Sequence, residues 1–179
     1  MDVRTRKRLR EAKRKARSEL DARHGWNSQG LAKAFEKTKW DFVDNVDRVD
    51  ARTITKEEFV EKFEKPLIPV VLTNVTDTWA AGEKWTAERL TKKYRNQRFK
   101  CGEDDEGFSV KVKMKYYVEY MANTDDDSPL YIFDSSFGDH PKKSKLLDDF
   151  QVPHLFQDDL FRWGGGGEEF IIKVCEGPG

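Results

Sequence analysis

Residues 108 to 115 alternate: Phe108, Val110, Val112 and Met114 are apolar, while Ser109, Lys111, Lys113 and Lys115 are polar or charged. A period of two puts each set on its own side of an extended chain, so the stretch predicts a strand with one buried face. Phe99 and Cys101 precede an acidic turn, Glu103-Asp104-Asp105-Glu106-Gly107, which makes the alternating run the second arm of a hairpin. A half-buried hairpin must lay its apolar face on another element, and the amphipathic material nearby is helical. Thr86 is a candidate N-cap for a helix over 86–95 with Leu90 and Tyr94 on one face. Residues 116–123 form a second, with Tyr117, Tyr120 and Met121 inward, broken by Asp125-Asp126-Asp127-Ser128-Pro129.

Upstream, Thr55 and Glu58 make a capping box, with Ile54 and Phe59 at the positions of a hydrophobic staple. A helix over 56–64 follows, carrying Phe59, Val60 and Phe63 in one stripe and stopping before Pro66. Ile68 to Val75 is uncharged and β-branched, the composition of a buried strand, and Leu130 to Phe133 reads as another. Residues 25–53 mix Trp26, Phe35, Trp40, Phe42 and Val43 with polar residues at no clear period, a connector that clips aromatic anchors onto a body. Asp158 to Phe161 looks like a helix start. The fold class is α+β, with helices packed on the first strands of a sheet.

The chain has 179 residues, enough for one domain with a tail. Charged residues make up 37%, well above the roughly 25% of ordinary domains, so core formation falls to the 12 Phe, 5 Trp and 5 Tyr. The longest uncharged stretch, residues 66–76, is far short of the ~20 residues of a membrane-spanning helix, and the N-terminus lacks the apolar run of a secretory signal. Two cysteines, Cys101 and Cys175, are too few for a disulfide framework and suit a reducing compartment.

A formal net charge of zero hides a segregation. Residues 1–23 hold ten Lys and Arg against four acids, so a basic segment precedes a mildly acidic body. That is the pattern of a nuclear-import or polyanion-contacting arm, while Leu9, Ala12, Ala16 and Leu20 at helical spacing also fit a merely solvated helix. Further clusters are Lys92-Lys93-Arg95 and Lys142-Lys143-Lys145. The organisation expected is a basic helical arm at 1–24, a body at 25–162, and a tail at 163–179 that begins with the low-complexity run Gly164 to Gly167.

Chemistry-bearing motifs are sparse. His24, His140 and His154 form neither His-x-Asp nor His-Glu-x-x-His, and His154 with Asp158 is a chance-level pair. The cysteines lack x-x spacing, the glycines of 164–167 lack the Lys-Ser/Thr of a phosphate loop, and no Gly-x-Ser-x-Gly occurs. No catalytic residue and no metal ligand is assigned from the residues themselves.

Several ordered blocks resemble the N-terminal region of the Jumonji-C arginine demethylases and lysyl hydroxylases: residues 57–61, 83–86, 93–97 with 99–104, 114–121 and 126–136, the last reading Asp-Asp-Ser-Pro-Leu-Tyr-Ile-Phe-Asp-Ser-Ser. The likeness extends over about residues 4 to 162. It implies a Fe(II)- and 2-oxoglutarate-dependent oxygenase with a double-stranded, cupin-like β-helix. It implies lysyl hydroxylation, with arginine demethylation as a second activity, on nuclear proteins such as splicing factors and histones. In that family a facial triad holds the iron. Its His-x-Asp is absent here, so competent binding of Fe(II) or 2-oxoglutarate is not expected of this chain alone. By the same resemblance, Tyr131 approaches the 2-oxoglutarate carboxylate and Phe133 lines the substrate side. Arg6, Lys7, Arg8, Arg10, Lys92, Lys93, Arg95, Lys142, Lys143 and Lys145 fall in stretches taken as nuclear-localisation signals. Core packing is the plain alternative for Tyr131 and Phe133, and a non-catalytic nuclear module binding RNA or protein is the alternative function.

Overall fold

In the computed structural model, residues 1–20, 25–37 and 43–157 are described. The expectations at His24, Trp40, Phe42, Asp158 to Phe161, Gly164 to Gly167 and Cys175 lie outside them. Helix α1 is Val3–Ala16, α2 is Leu31–Lys37, and strand β1 is Asp47–Asp50. Helix α3, Lys56–Phe59, continues as a wider π-type turn through Glu64; β2 (Val70–Thr73), α4 (Ala81–Lys84) and α5 (Ala87–Tyr94) follow. Strands β3 (Arg98–Glu103) and β4 (Ser109–Lys113) lead into α6 (Met114–Met121), and three short 3-10 turns at Ser135–Asp139, Ser144–Asp149 and His154–Phe156 complete the order.

The hairpin forms as the alternation requires. β3 and β4 pair antiparallel, with a bulge between Lys100 and Gly102. Asp104 closes the turn by accepting the N–H groups of Glu106 and Phe108, and Gly107 takes a positive φ there. Val110 and Val112 are buried, but Phe108 is 66% exposed. The ladder begins at Ser109, so Phe108 belongs to the turn, where strand parity no longer fixes its side.

The largest departure from the sequence reading is α1. It is no solvated arm: it packs on β3, β4 and α6. Leu9 and Ala12 share a core with Cys101, Val110, Val112, Tyr116, Tyr117, Tyr120 and Leu130. Asp2 caps the helix by accepting the Thr5 N–H at 2.8 Å, and the fully buried Thr5 hydroxyl donates to Glu119 of α6 at 2.6 Å. Farther along, the Lys13 ammonium meets Asp126 at 2.6 Å and lies over the Trp26 ring at 4.5 Å. Gly102 completes the fit, since a Cβ there would come within 3.0 Å of the Ala16 Cβ.

The acidic run at 125–127, read as a helix breaker, is also a fastening. Asp127 accepts the N–H groups of Gln29 and Leu31, while its own N–H donates to the Trp26 carbonyl, so the start of the connector is clipped to the body through its backbone; of the expected anchors Trp26 packs on the core, and Val43 is exposed. A second core joins Tyr94 of α5 to Phe99, Met114, Phe137 and Leu146. The third helix keeps its capping box, and Phe59 stacks on Phe63 and edge-on against Phe156. Tyr117 and Tyr120 of α6 point inward as expected, but Met121 is partly exposed at the helix end.

Ile68 to Val75 was expected to be buried on both sides. β2 instead pairs only with β1, in parallel, among the described residues, and Ile68 and Val71 are exposed. Leu130 to Phe133, expected as a strand, joins no sheet. The class is confirmed as mixed helix and strand; the described residues form two two-stranded sheets and no closed barrel. No helix among them is long and apolar enough to cross a membrane.

Candidate active-site cleft

The 130–134 segment is held by its surroundings rather than by a sheet. At one end α6 supplies two phenols: the Leu130 N–H donates to the Tyr120 hydroxyl at 3.0 Å, and the Tyr117 hydroxyl donates to the Leu130 carbonyl at 3.5 Å. Tyr120 in turn donates to Asp126, and burial together with that carboxylate raises its own acidity threshold. At the other end the Phe133 N–H donates to the Lys100 carbonyl of β3 at 2.9 Å.

Asp134 anchors this end. Its carboxylate receives the Lys143 ammonium at 2.7 Å, the Ser136 hydroxyl at 3.1 Å and the Lys100 N–H at 3.4 Å. Lys143, 4% exposed, also lies over the Phe99 ring at 5.0 Å. Burial pushes the Asp134 carboxyl upward, but the Lys143 ammonium and the accepted hydrogen bonds outweigh it, leaving the group below its ordinary value. Asp134 therefore stays a carboxylate at neutral pH and is fully partnered.

Fixed this way, alternate residues of the segment share a side. Tyr131 and Phe133 stand 6.2 Å apart, centroid to centroid and tilted edge to face, along a cleft of about 370 Å³. Its other walls are the end of α1 at Ala16 and Arg17, Trp26, and β3 from Lys100 to Glu103. Tyr131 is 58% exposed, so its hydroxyl is presented rather than packed, while Phe133 is half-buried. Core packing thus describes Phe133 in part and Tyr131 poorly. Cys101 lines the same cleft, but burial pushes its thiol up to about 12, so it is not a nucleophile at neutral pH.

The two described histidines take structural places. His140 Nδ1 accepts the N–H groups of Lys142 and Lys143, closing a turn, and His154 Nε2 lies 3.2 Å from the Ile54 carbonyl. Among the described residues no three His, Cys, Asp or Glu side chains gather as a metal site. These residues therefore do not fit a metal ion, and what they offer chemically is a hydrogen-bond donor and an apolar wall.

The basic clusters diverge. Arg6, Lys7, Arg8 and Arg10 are exposed on the outer face of α1, and Lys92, Lys93 and Arg95 are exposed around the end of α5. In the third cluster Lys142 and Lys145 are exposed, but Lys143 is spent on Asp134. Sequence reasoning missed the Asp134–Lys143 pair because nine residues and an irregular turn separate them, and no helix or strand period links such positions.

No family model matches the chain. Curated relatives do. A bifunctional arginine demethylase and lysyl-hydroxylase, psr-1, of Caenorhabditis elegans is 56% identical over 160 residues, 89% of this chain and 39% of that protein. Its namesake in Caenorhabditis briggsae is 55% identical over 157 residues, 88% of this chain and 39% of the relative. The arginine-specific demethylase JMJ22 of Arabidopsis thaliana is 38% identical over 143 residues, 79% of this chain and 26% of the relative. The chain thus spans about two-fifths of the length of the nematode proteins it matches.

Proposed function

Since the chain is homologous over nearly nine-tenths of its length to the Jumonji-type bifunctional arginine demethylases and lysyl-hydroxylases, we propose that it forms one wall of the cleft of a Fe(II)- and 2-oxoglutarate-dependent protein hydroxylase. The observation that carries this reading is the pairing of Tyr131 and Phe133 on one side of a segment clamped at both ends. Tyr131 donates its phenolic hydrogen to a carboxylate of 2-oxoglutarate, and Phe133 shields the adjoining side where a lysine or arginine side chain lies. The rigid anchors at Tyr120 and Asp134 set the separation of these two jobs. The cofactors belonging to this chemistry are 2-oxoglutarate and Fe(II). The cupin-like β-helix of the whole oxygenase, nuclear location, and splicing-factor or histone substrates form part of the same proposal.

The test is weak, iron-independent contact of 2-oxoglutarate with this wall, short of competent binding, read by saturation-transfer NMR on the chain and on Tyr131→Phe. Loss of one hydrogen bond to a charged group costs about 1.5 to 3 kcal/mol, so the variant weakens contact at least tenfold. Equal signals from both proteins would overturn the assignment of Tyr131.

One observation favours the non-catalytic module as a second reading. A groove of about 390 Å³ is lined by Arg4, Arg8 and Lys15 of α1, Arg98 of β3, and Lys111 and Lys113 of β4, six cations against Glu11, which pairs with Arg8, and Asp104 of the hairpin turn. The exposed Phe108 stands in its wall, an arrangement that suits a single-stranded nucleic acid. Binding of an RNA oligonucleotide whose affinity does not fall as salt rises would remove that reading.

A further inference from the structure

We propose that the outer side of α5 carries an anion site for a phosphate group, built on Tyr94. The site lies away from the Tyr131 cleft and stands independently of the oxygenase reading. A surface hollow of about 380 Å³ is lined by Lys84, Trp85, Arg89, Lys92, Lys93, Tyr94 and Asp149.

Its one acid is already neutralised. Asp149, 2% exposed, receives the Lys84 ammonium at 2.6 Å and the Trp85 indole N–H at 3.1 Å. Arg89, Lys92 and Lys93 make no salt bridge among the described residues, although Lys93 adds to the positive field that holds the Asp149 carboxyl low. Arg89 is aimed by a 2.9 Å bond to the Glu83 carbonyl that uses only one of its five N–H groups, and Lys93 rests over the Tyr94 ring at 5.2 Å.

The second observation is the phenol itself. Tyr94 is 2% exposed, its ring packs edge-on against Phe99, and its hydroxyl is buried with no hydrogen-bond partner. A buried hydroxyl left unsatisfied costs free energy, so one on a residue that lines a cationic hollow and is felt by its Lys84 is a donor waiting for an acceptor. A phosphate oxygen supplies that acceptor, and the remaining oxygens meet the guanidinium and the two ammonium groups. Chloride could answer the charge but not this geometry of several acceptors.

The source of the phosphate is either the free ion or a phosphoserine on a protein segment, and both present the same oxygens. The experiment titrates the full chain with inorganic phosphate, and separately with a phosphoserine peptide and its unphosphorylated form, at fixed ionic strength made up with chloride. Amide shifts in residues 84–95 are followed by NMR. Saturable shifts are expected with phosphate or the phosphopeptide, and whichever binds more tightly identifies the source. Tyr94→Phe keeps the ring and the fold, removes only the unpartnered hydroxyl, and is expected to weaken binding about tenfold or more. Lys92→Ala with Lys93→Ala is expected to abolish saturation. Non-saturating shifts, or the same affinity in Tyr94→Phe as in the parent, would overturn the proposal.

Discussion

Replacing Leu9 by Ala separates a docked first helix from a basic tail that merely carries charge. Leu9 is 3% exposed and sits in the core formed with β3, β4 and α6. The substitution removes the equivalent of three methylenes, about 2.4 kcal/mol at roughly 0.8 kcal/mol each, and any cavity that does not collapse adds to this. The expected loss is therefore about 2 to 5 kcal/mol. For a folded unit of this size each kcal/mol moves the midpoint by about 2 to 4 °C, so thermal unfolding should begin some 4 to 20 °C earlier. Urea titration followed by circular dichroism gives the free energy directly, with Val3→Ala, at an exposed position of the same helix, as the control expected within about 0.5 kcal/mol of the parent. A Leu9→Ala loss as small as the control's would refute the docking of α1 and restore the solvated arm.

Asp134→Asn strands the Lys143 ammonium in the core, and should cost about 3 to 5 kcal/mol in the same urea assay, whereas an effect below 1 kcal/mol would mean the pair is solvated. Because the Asp134 and Asp149 carboxyls are held below their ordinary value, their contribution is complete above about pH 4 and is lost as pH falls through the lower folded values; stability should decline on acidification below about pH 4, and a flat profile there would contradict both pairings. Cys101 should resist iodoacetamide at pH 8 until the chain is unfolded, as read by peptide mass mapping, and rapid native labelling would contradict its burial. The chain carries no His-x-Asp, so Fe(II)-dependent succinate release from 2-oxoglutarate should not exceed a protein-free control.

Elements whose residues interact at short range were legible in the sequence. The reciprocal Thr55–Glu58 box and the Thr86 cap, which accepts the Arg89 N–H, each span three residues and appear as read. The hairpin was announced by its own alternation and turn. What failed depended on distant partners. β1 holds one apolar residue, Val49, among charges and exists only because β2 pairs with it, so no local pattern marks it. The first helix looked solvated because its apolar stripe is narrow and built from Leu and Ala. Small residues are what permit close approach to Gly102, and the glycine that reveals this lies 86 positions from Ala16. At the cleft, resemblance located Tyr131 and Phe133, and strand parity placed both on one side; but the anchor at Asp134 comes from a lysine brought in by an irregular turn. The unsatisfied Tyr94 hydroxyl has no signature in sequence at all, because a tyrosine at a helix's inner position reads as core whether or not its hydroxyl is paired.

The central claim is that Tyr131 faces a 2-oxoglutarate-sized ligand in the cleft it shares with Phe133. Incorporating 3-fluorotyrosine at position 131 and titrating with 2-oxoglutarate addresses it directly by fluorine NMR. The account predicts a 2-oxoglutarate-dependent shift of that single resonance from weak contact without iron, with little response to an uncharged diester of the same ligand, because the phenol donates to a carboxylate. A resonance that stays fixed throughout the titration, or that moves equally with the diester, would contradict it.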